Sequence, residues 1–427
     1  MRFKIKILLY LIQAKLLKFW YRNNLSTLRK IRFKSLKRFL AKSEFYKEFS
    51  NKKMGISDFP LINKQVFMAN FDLINTCKIK LENALELAIK AEKDRDFSPT
   101  INGVTVGLSS GTSGNRGVFL ASENERAMWV AMMLDRVIGF SLKKRNVAFF
   151  LRANSNLYAS VNSNILSFNF FDLLIDIPCH IDRLNKLQPN ILVAQPSMLL
   201  ELAKATEKKL LHIQPSKIIS VAEVLTPEDK AYLTRVFNQI IHQVYQCTEG
   251  FLAYTCKNGT LHFNEDFLII EKKYIDKEQI RFHPVITDLK RKSQAVIRYE
   301  LNDILTEQAS CECGSKMQAI AAIEGRSDDI LEFISSDNLK VKIFPDFFRR
   351  AIILADSKIT DYTLIQKNTN QLCLFIESSS SLSYNLAVNS IEELLLQYNI
   401  KHVEFTLLND RNHIQGNKLR RIRNENS

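Results

Sequence analysis

Apolar residues at Val104, Val106 and Leu108 alternate with polar ones, and short apolar runs recur at 146–155, 190–194 and 217–225. A two-residue period, or a brief apolar run bounded by turn residues, predicts strands. Between them the spacing lengthens to three and four, predicting helices over 82–98, 122–142 and, behind a Pro-Ser start, up to residue 205. Strands alternating with helices imply a parallel sheet and an α/β fold class. Residues 26–53 read as helix, and 59–75 as a turn followed by a short helix begun near Asn63. After Ile330 the pattern changes to short strands with helices at 345–355 and 388–398, a separate α+β unit of roughly 100 residues. The predicted organisation is an arm over 1–53, a large domain over 54–327 and a small mobile domain over 328–427. There is no internal repeat and no long Pro/Gly/Ser linker.

Glycine sharpens this outline. Of 12 glycines in 427 residues, five lie between Gly103 and Gly117. Together with Ser109, Ser110, Thr112 and Ser113, Gly111 and Gly114 make a loop rich in N–H and hydroxyl donors. Such a loop suits the oxygens of a nucleotide triphosphate. It follows a strand pattern and precedes a helical one opening near Ser122, so it reads as a strand-to-helix connection. The Gly-Lys-Ser/Thr ending of the common nucleotide hydrolases is missing, and the glycine spacing is not the dinucleotide fingerprint.

Charge matters in one place. Residues 1–53 hold 16 Lys/Arg against Glu44 and Glu48, or +14, while the whole chain carries +15. The apolar run Ile7 to Ile12 is too short to span a bilayer, and no small-residue cleavage site follows. A basic amphipathic helix ending in Phe19, Trp20 and Tyr21 fits. Either it packs on the large domain, or it meets an anionic membrane surface or an acidic partner such as an acyl-carrier protein. No nucleic-acid-binding module accompanies the charge. Seven irregularly spaced cysteines argue for a reducing compartment, hence a cytoplasmic protein, with membrane association an option.

The glycine-rich loop resembles the phosphate loop of adenylate-forming enzymes, the superfamily of acyl-CoA synthetases, luciferases and peptide-synthetase adenylation domains. Four more segments follow in that superfamily's order: VYQCTEG (244–250), RYELNDIL (298–305), IEGRSDDIL (323–331) and GNKLRRI (416–422). Gly117 stands where many members have lysine, as in the branch containing phenylacetate–CoA ligase and the deazaflavin-coenzyme adenylylating synthetase. SEFYKEFS (43–50) and FPLINKQVFMANFD (59–72) resemble a bacterial clade of that branch. The resemblance implies that Tyr245 stacks on adenine, Thr248 contacts the α-phosphate and Glu249 helps hold Mg²⁺. It implies that Ala222 and Glu223 lie in the nucleotide pocket and that Asp303 binds the ribose hydroxyls. Asn302 replaces the usual glycine there, and Asn tolerates left-handed backbone. Arg326 would contact ribose or phosphate, Asp328 would sit at a hinge, and Lys418 would enter the site during adenylation.

What the resemblance implies is a large AMP-binding domain, a small domain on a hinge, and an ATP-dependent ligase. A carboxylic acid becomes an acyl-AMP, which passes to a thiol of CoA or a carrier protein. The alternatives are AMP transfer to a hydroxyl of a small coenzyme, or a non-catalytic nucleotide-binding subunit. Arg152 and Tyr158 are candidates for contact with the acid, whose identity is not legible, and a homodimer is left open. Cys256, His262, Cys311 and Cys313 also form a set suited to tetrahedral Zn²⁺, as in some relatives of phenylacetate–CoA ligase. Four protein ligands leave no open position, so the role would be structural. The other reading is four unrelated residues.

Overall fold

A computed structural model describes residues 2–21, 24–51, 53–109, 116–139, 143–151, 166–411 and 418–426. The chain divides into two compact units, Met1–Leu301 with Thr306–Ala322, and Asn302–Leu305 with Ile323–Ser427.

The larger unit is built on a mixed sheet. Five neighbouring strands run parallel in the order Leu166–Asp172, Arg145–Leu151, Ile191–Ala194, Lys217–Val221 and Ile241–Cys247. Ile191–Ala194 is buried on every residue, as expected for a parallel strand covered on both faces. Helices Ile177–Leu187, Pro196–Glu207 and Pro227–Phe237 return the chain between these strands, and their apolar faces join the core around Phe150, Leu199 and Ile218. Beyond Cys247 the pairing turns antiparallel, through Gly250–Thr255 and Leu261–Phe263. The expected parallel sheet is therefore only part of a mixed one. Hairpin connections as short as Thr248–Glu249 permit only antiparallel neighbours.

A separate three-stranded antiparallel sheet joins Thr100–Ile101, Val104–Leu108 and Val118–Ala121. The glycine-rich segment thus links two antiparallel strands. The helix Glu123–Met133 begins only after the second of them, capped by Ser122. The expected strand-to-helix connection overlooked Val118–Ala121, a strand of only four residues.

The arm is docked on this unit. In the helix Arg2–Trp20, Ile7 packs against Ala127, Val130 and Ala131, and Lys6 pairs with Glu123 at 3.0 Å. Lys15 pairs with Asp135. The helix Leu25–Leu40 buries Leu28, Arg32, Leu36 and Leu40, a four-residue repeat that marks one face. Arg29 reaches Glu265 at 3.0 Å, and buried Arg32 meets the half-buried Asp266. The predicted helix over 26–53 stops at Leu40. There Ser43 turns the chain by donating to the Leu73 carbonyl, and Tyr46 buries its ring against Phe45 and Phe59.

The smaller unit is α+β. Leu331–Ile334 and Lys340–Ile343 form a hairpin, and a four-stranded sheet centres on the antiparallel pair Ile359–Asn368 and Gln371–Ser378. Helices Pro345–Ala355 and Ser383–Gln397 close the core around Phe333, Phe348, Leu364 and Leu374.

Candidate active site

Parallel strands leave their carboxyl ends along one edge, where α/β sheets place ligands because the following loops diverge there. Register aligns Phe149 with Val193, Ala194 with Ser220 and Val221 with Val244. The strand ends at Leu151, Ala194, Val221 and Cys247 therefore lie along the same edge. The segments that follow them are those that the sequence singled out, although Arg152 and Tyr158 lie outside the described residues.

Thr248 and Glu249 form the turn between Ile241–Cys247 and Gly250–Thr255. Glu249 accepts from the Tyr299 hydroxyl at 2.9 Å and, on its other oxygen, from the Thr248 hydroxyl at 2.8 Å. Tyr299 is buried, and its ring meets Phe67 edge-on at 5.3 Å. Burial and the adjacent Glu249 carboxylate both push the Tyr299 phenol up, so it stays a donor. Arg291 donates to the Thr248 carbonyl at 2.6 Å and to the Leu120 carbonyl at 3.3 Å. The guanidinium thus ties the turn to the three-stranded sheet.

That sheet contributes the base of the glycine-rich loop. Ser109 and Gly117 close it, with Ser109 N–H on the Gly117 carbonyl and Gly117 N–H on the Ser109 hydroxyl, both at 2.7 Å. Arg116 bridges Ser109 O at 3.1 Å and the Glu92 carboxylate. Ser110, Gly111, Thr112, Ser113 and Gly114 lie outside the described residues. Gly117, Thr248, Glu249, Arg291, Tyr299 and Lys64 line a single small, partly open cleft. The structure thus brings together, within the larger unit, the loop base and the Thr-Glu turn.

The loop at 290–294 is held by Glu125. Its carboxylate accepts from Ser122 N and Oγ at 2.7 Å, from Lys292 N at 2.5 Å, and from Ser293 N and Oγ at 2.9 and 2.5 Å. Burial would raise its pKa, but the hydrogen bonds from Ser293, Ser122 and the backbone outweigh burial and lower it. Neither Glu125 nor Arg291 was legible as a site residue. The Ser122-x-x-Glu125 capping box was the one local signal available.

Ala222 has φ of 69°, a left-handed conformation uncommon for a residue with a Cβ. Glu223 beside it accepts from Ser197 N and Oγ, both at 3.1 Å, and so caps the helix Pro196–Glu207. Tyr245 is buried where the strand pairing shifts register between Tyr245 and Gln246. Such bulges re-aim side chains beside sites.

In the smaller unit, Arg326 lies 3.7 Å from Asp303. Asn302 donates to Asp328 at 3.0 Å and accepts from Ser327 N and Oγ. Asn302 is not among the residues with positive φ, so its tolerance of left-handed backbone is not called upon. Gly325, in the next motif, has a positive φ of 144° that favours glycine. Asp329 is the buried carboxylate of the segment and pairs with Arg420 at 2.9 Å. Lys418 is half-buried in the same unit.

A second cluster sits in the larger unit. The ligand atoms of Cys256, His262, Cys311 and Cys313 all lie within 4.8 Å of one another. Cys256 and Cys311 sulfurs are 3.8 Å apart, and Cys313 Sγ is 3.4 Å from His262 Nε2. Zinc–sulfur bonds of about 2.3 Å at a tetrahedral angle put sulfurs about 3.8 Å apart. His262 Nδ1 contacts the Met317 carbonyl at 2.9 Å, which as a donor leaves Nε2 available as ligand. Asn258 N–H and Ser315 N–H point at Cys256 and Cys313 sulfurs, each at 3.4 Å. The residues fit the ion.

No protein-family profile matches the chain. Indoleacetate–lysine synthetase of Pseudomonas savastanoi is 25% identical over 237 residues, 51% of this chain and 57% of that enzyme. The match therefore spans little more than half of that relative's length. A 2-hydroxyisobutyryl-CoA ligase in the postadenylation state superposes with a TM-score of 0.65 at 15% identity, covering 93% of this chain and 88% of that one. The amide bond synthetase McbA of Marinactinospora thermotolerans gives 0.54 at 10% identity, covering 74% and 68%. The chain thus shares the fold of the 2-hydroxyisobutyryl-CoA ligase over nearly its whole length, and about half of it is similar in sequence to indoleacetate–lysine synthetase.

Proposed function

We propose that the protein activates a carboxylic acid with ATP as an acyl-AMP and passes the acyl group to a thiol of CoA or a carrier protein. The observation that supports this most is the cleft joining the Ser109–Gly117 loop base to Thr248, Glu249 and Arg291. Joining a carboxylate to an α-phosphate brings two anions together, so the site must supply positive charge and oriented donors. The glycine-rich loop (Ser110, Gly111, Thr112, Ser113, Gly114) would hold phosphates, with Thr248 at the α-phosphate. Glu249 would hold Mg²⁺: the Tyr299 and Thr248 hydroxyls take one lone pair on each oxygen, and a carboxylate offers about four. Bound there, Mg²⁺ would neutralise phosphate charge. Tyr245, Ala222 and Glu223 would frame the adenine, and Asp303 with Arg326 the ribose. Lys418 would bridge the reacting groups, and rotation about Asp328 would withdraw it for the second half-reaction.

Structural zinc at Cys256, His262, Cys311 and Cys313 would pin the 311–313 turn to the strand Leu261–Phe263, with no part in the chemistry. A second acceptor is favoured by one finding: one relative is named for joining indoleacetate and lysine, and McbA is named an amide bond synthetase. An amine would then replace the thiol. The test is carboxylate-dependent exchange of pyrophosphate into ATP over a panel of acids, followed by mass spectrometry of products with CoA, carrier-protein thiol or lysine. An acyl-AMP appearing with at least one acid is expected. ATP binding without exchange across the panel would overturn the proposal.

A further inference from the structure

The helix Arg2–Trp20 is apolar on two opposite sides, and only one of them is covered. Ile7 and Ala14 face the body of the larger unit. At about 100° per residue, Leu8, Leu9, Ile12, Leu16, Phe19 and Trp20 fall in a sector about 120° wide, roughly opposite Ile7 and Ala14. All six are exposed, Phe19 by 82% and Trp20 by 76%. A helix apolar on both sides belongs in a core or against an apolar phase, and a scattered exposed leucine would need no such account. Here the apolar residues form one continuous stripe, closed by two aromatic rings.

Charge selects the occupant. The segment 1–53 carries 16 Lys/Arg against two acids. Lys4 and Lys15 flank one edge of the stripe, and Arg2 and Lys6 flank the other, Lys6 and Lys15 being also paired with Glu123 and Asp135 of the body. On the helix Leu25–Leu40, the exposed Lys30, Lys34 and Arg38 recur every four residues and so share a face. A second copy would bring like charge against like. An anionic bilayer instead offers apolar depth for the stripe and negative headgroups for its basic margins. No helix of the described residues is long and apolar enough to cross a membrane.

We propose that the uncovered face of Arg2–Trp20 lies in the plane of an anionic membrane surface, inserting Leu9, Leu16, Phe19 and Trp20 below the headgroups. This stands apart from the adenylation chemistry and does not need it. The test is flotation of the full chain with phosphatidylcholine vesicles, with and without phosphatidylglycerol. The F19A/W20A variant serves as the comparison, since both side chains are exposed and their loss leaves the docked face intact. Binding is expected only with phosphatidylglycerol, weakened by salt and at least tenfold lower in the variant. Failure to float with anionic vesicles, or equal binding by the variant, would overturn it. So would a vesicle-free dimer, by light scattering, that the double substitution dissociates: the face would then bury a second copy.

Discussion

Replacing Glu125 by glutamine tests whether its buried carboxylate organises the cleft. Five donors converge on it: Ser122 N and Oγ, Lys292 N, and Ser293 N and Oγ. Oε1 takes the two backbone N–H groups of Lys292 and Ser293, so a glutamine must keep its oxygen there. Its NH₂ then replaces Oε2 and faces Ser122 N–H, a donor that cannot reverse, while the two hydroxyls can rotate to accept. One backbone hydrogen bond is lost, and the rest drop from charged to neutral strength, a difference of about 1 kcal/mol each. Relief of carboxylate desolvation offsets part of this, leaving about 2–3 kcal/mol. At about 2–4 °C per kcal/mol, the unfolding midpoint of E125Q should fall about 4–12 °C. S122A, which removes the cap and one of the five donors to Glu125, should cost about 1–2 kcal/mol. The pH dependence supplies the sharper check. Because folding lowers the Glu125 pKa, its contribution is complete above the ordinary value of 4.5 and disappears as pH falls through the folded value. The gap between wild type and E125Q, followed by circular dichroism melts, should therefore shrink below about pH 4.5. ATP affinity by calorimetry should weaken as Arg291 loosens from Thr248. An unchanged midpoint, or a gap that is constant with pH, would refute the reasoning.

Other expectations follow from single contacts. Arg420→Met should destabilise the smaller unit by about 3 kcal/mol by leaving buried Asp329 unpaired, and adding D329N should recover most of it; double-mutant melts decide. Metal analysis of the purified chain should find one zinc, lost in C311S/C313S with a lower melting midpoint; zinc retained in that variant would remove the assignment. Burial lowers the His242 pKa to about 4, so the stability it contributes is whole above 6.5 and lost as pH falls toward 4. H242Q should flatten that limb of the pH–stability curve. Lys418→Ala should cut acyl-AMP formation at least 100-fold while leaving transfer from preformed acyl-AMP to the acceptor nearly intact. Equal loss in both half-reactions would count against its proposed role.

Local chemistry determined much of this protein before any fold existed. Turn residues and spacing located the helix capped by Asn63, the strand-helix pair beginning at Ile191 and the helix Pro345–Ala355, because caps, prolines and apolar period act within a few residues. The ordered motifs marked Thr248 and Glu249, and cysteine-histidine spacing marked a metal set whose atoms do converge. Other features depended on partners distant in the chain. Arg291 matters because the fold sets it 43 residues from Thr248 and 171 from Leu120, and Tyr299 because it meets Glu249 across 50 residues. The strand Val118–Ala121 is too short to announce itself, and it exists because Val104–Leu108 offers it a ladder. Which face of the first helix is covered was likewise undecided, since both faces are apolar and only packing on Ala127 and Val130 separates them. Residue type and spacing act locally and can be read along the chain. The choice of partner is made by the whole chain's packing, where small gains from remote contacts are summed.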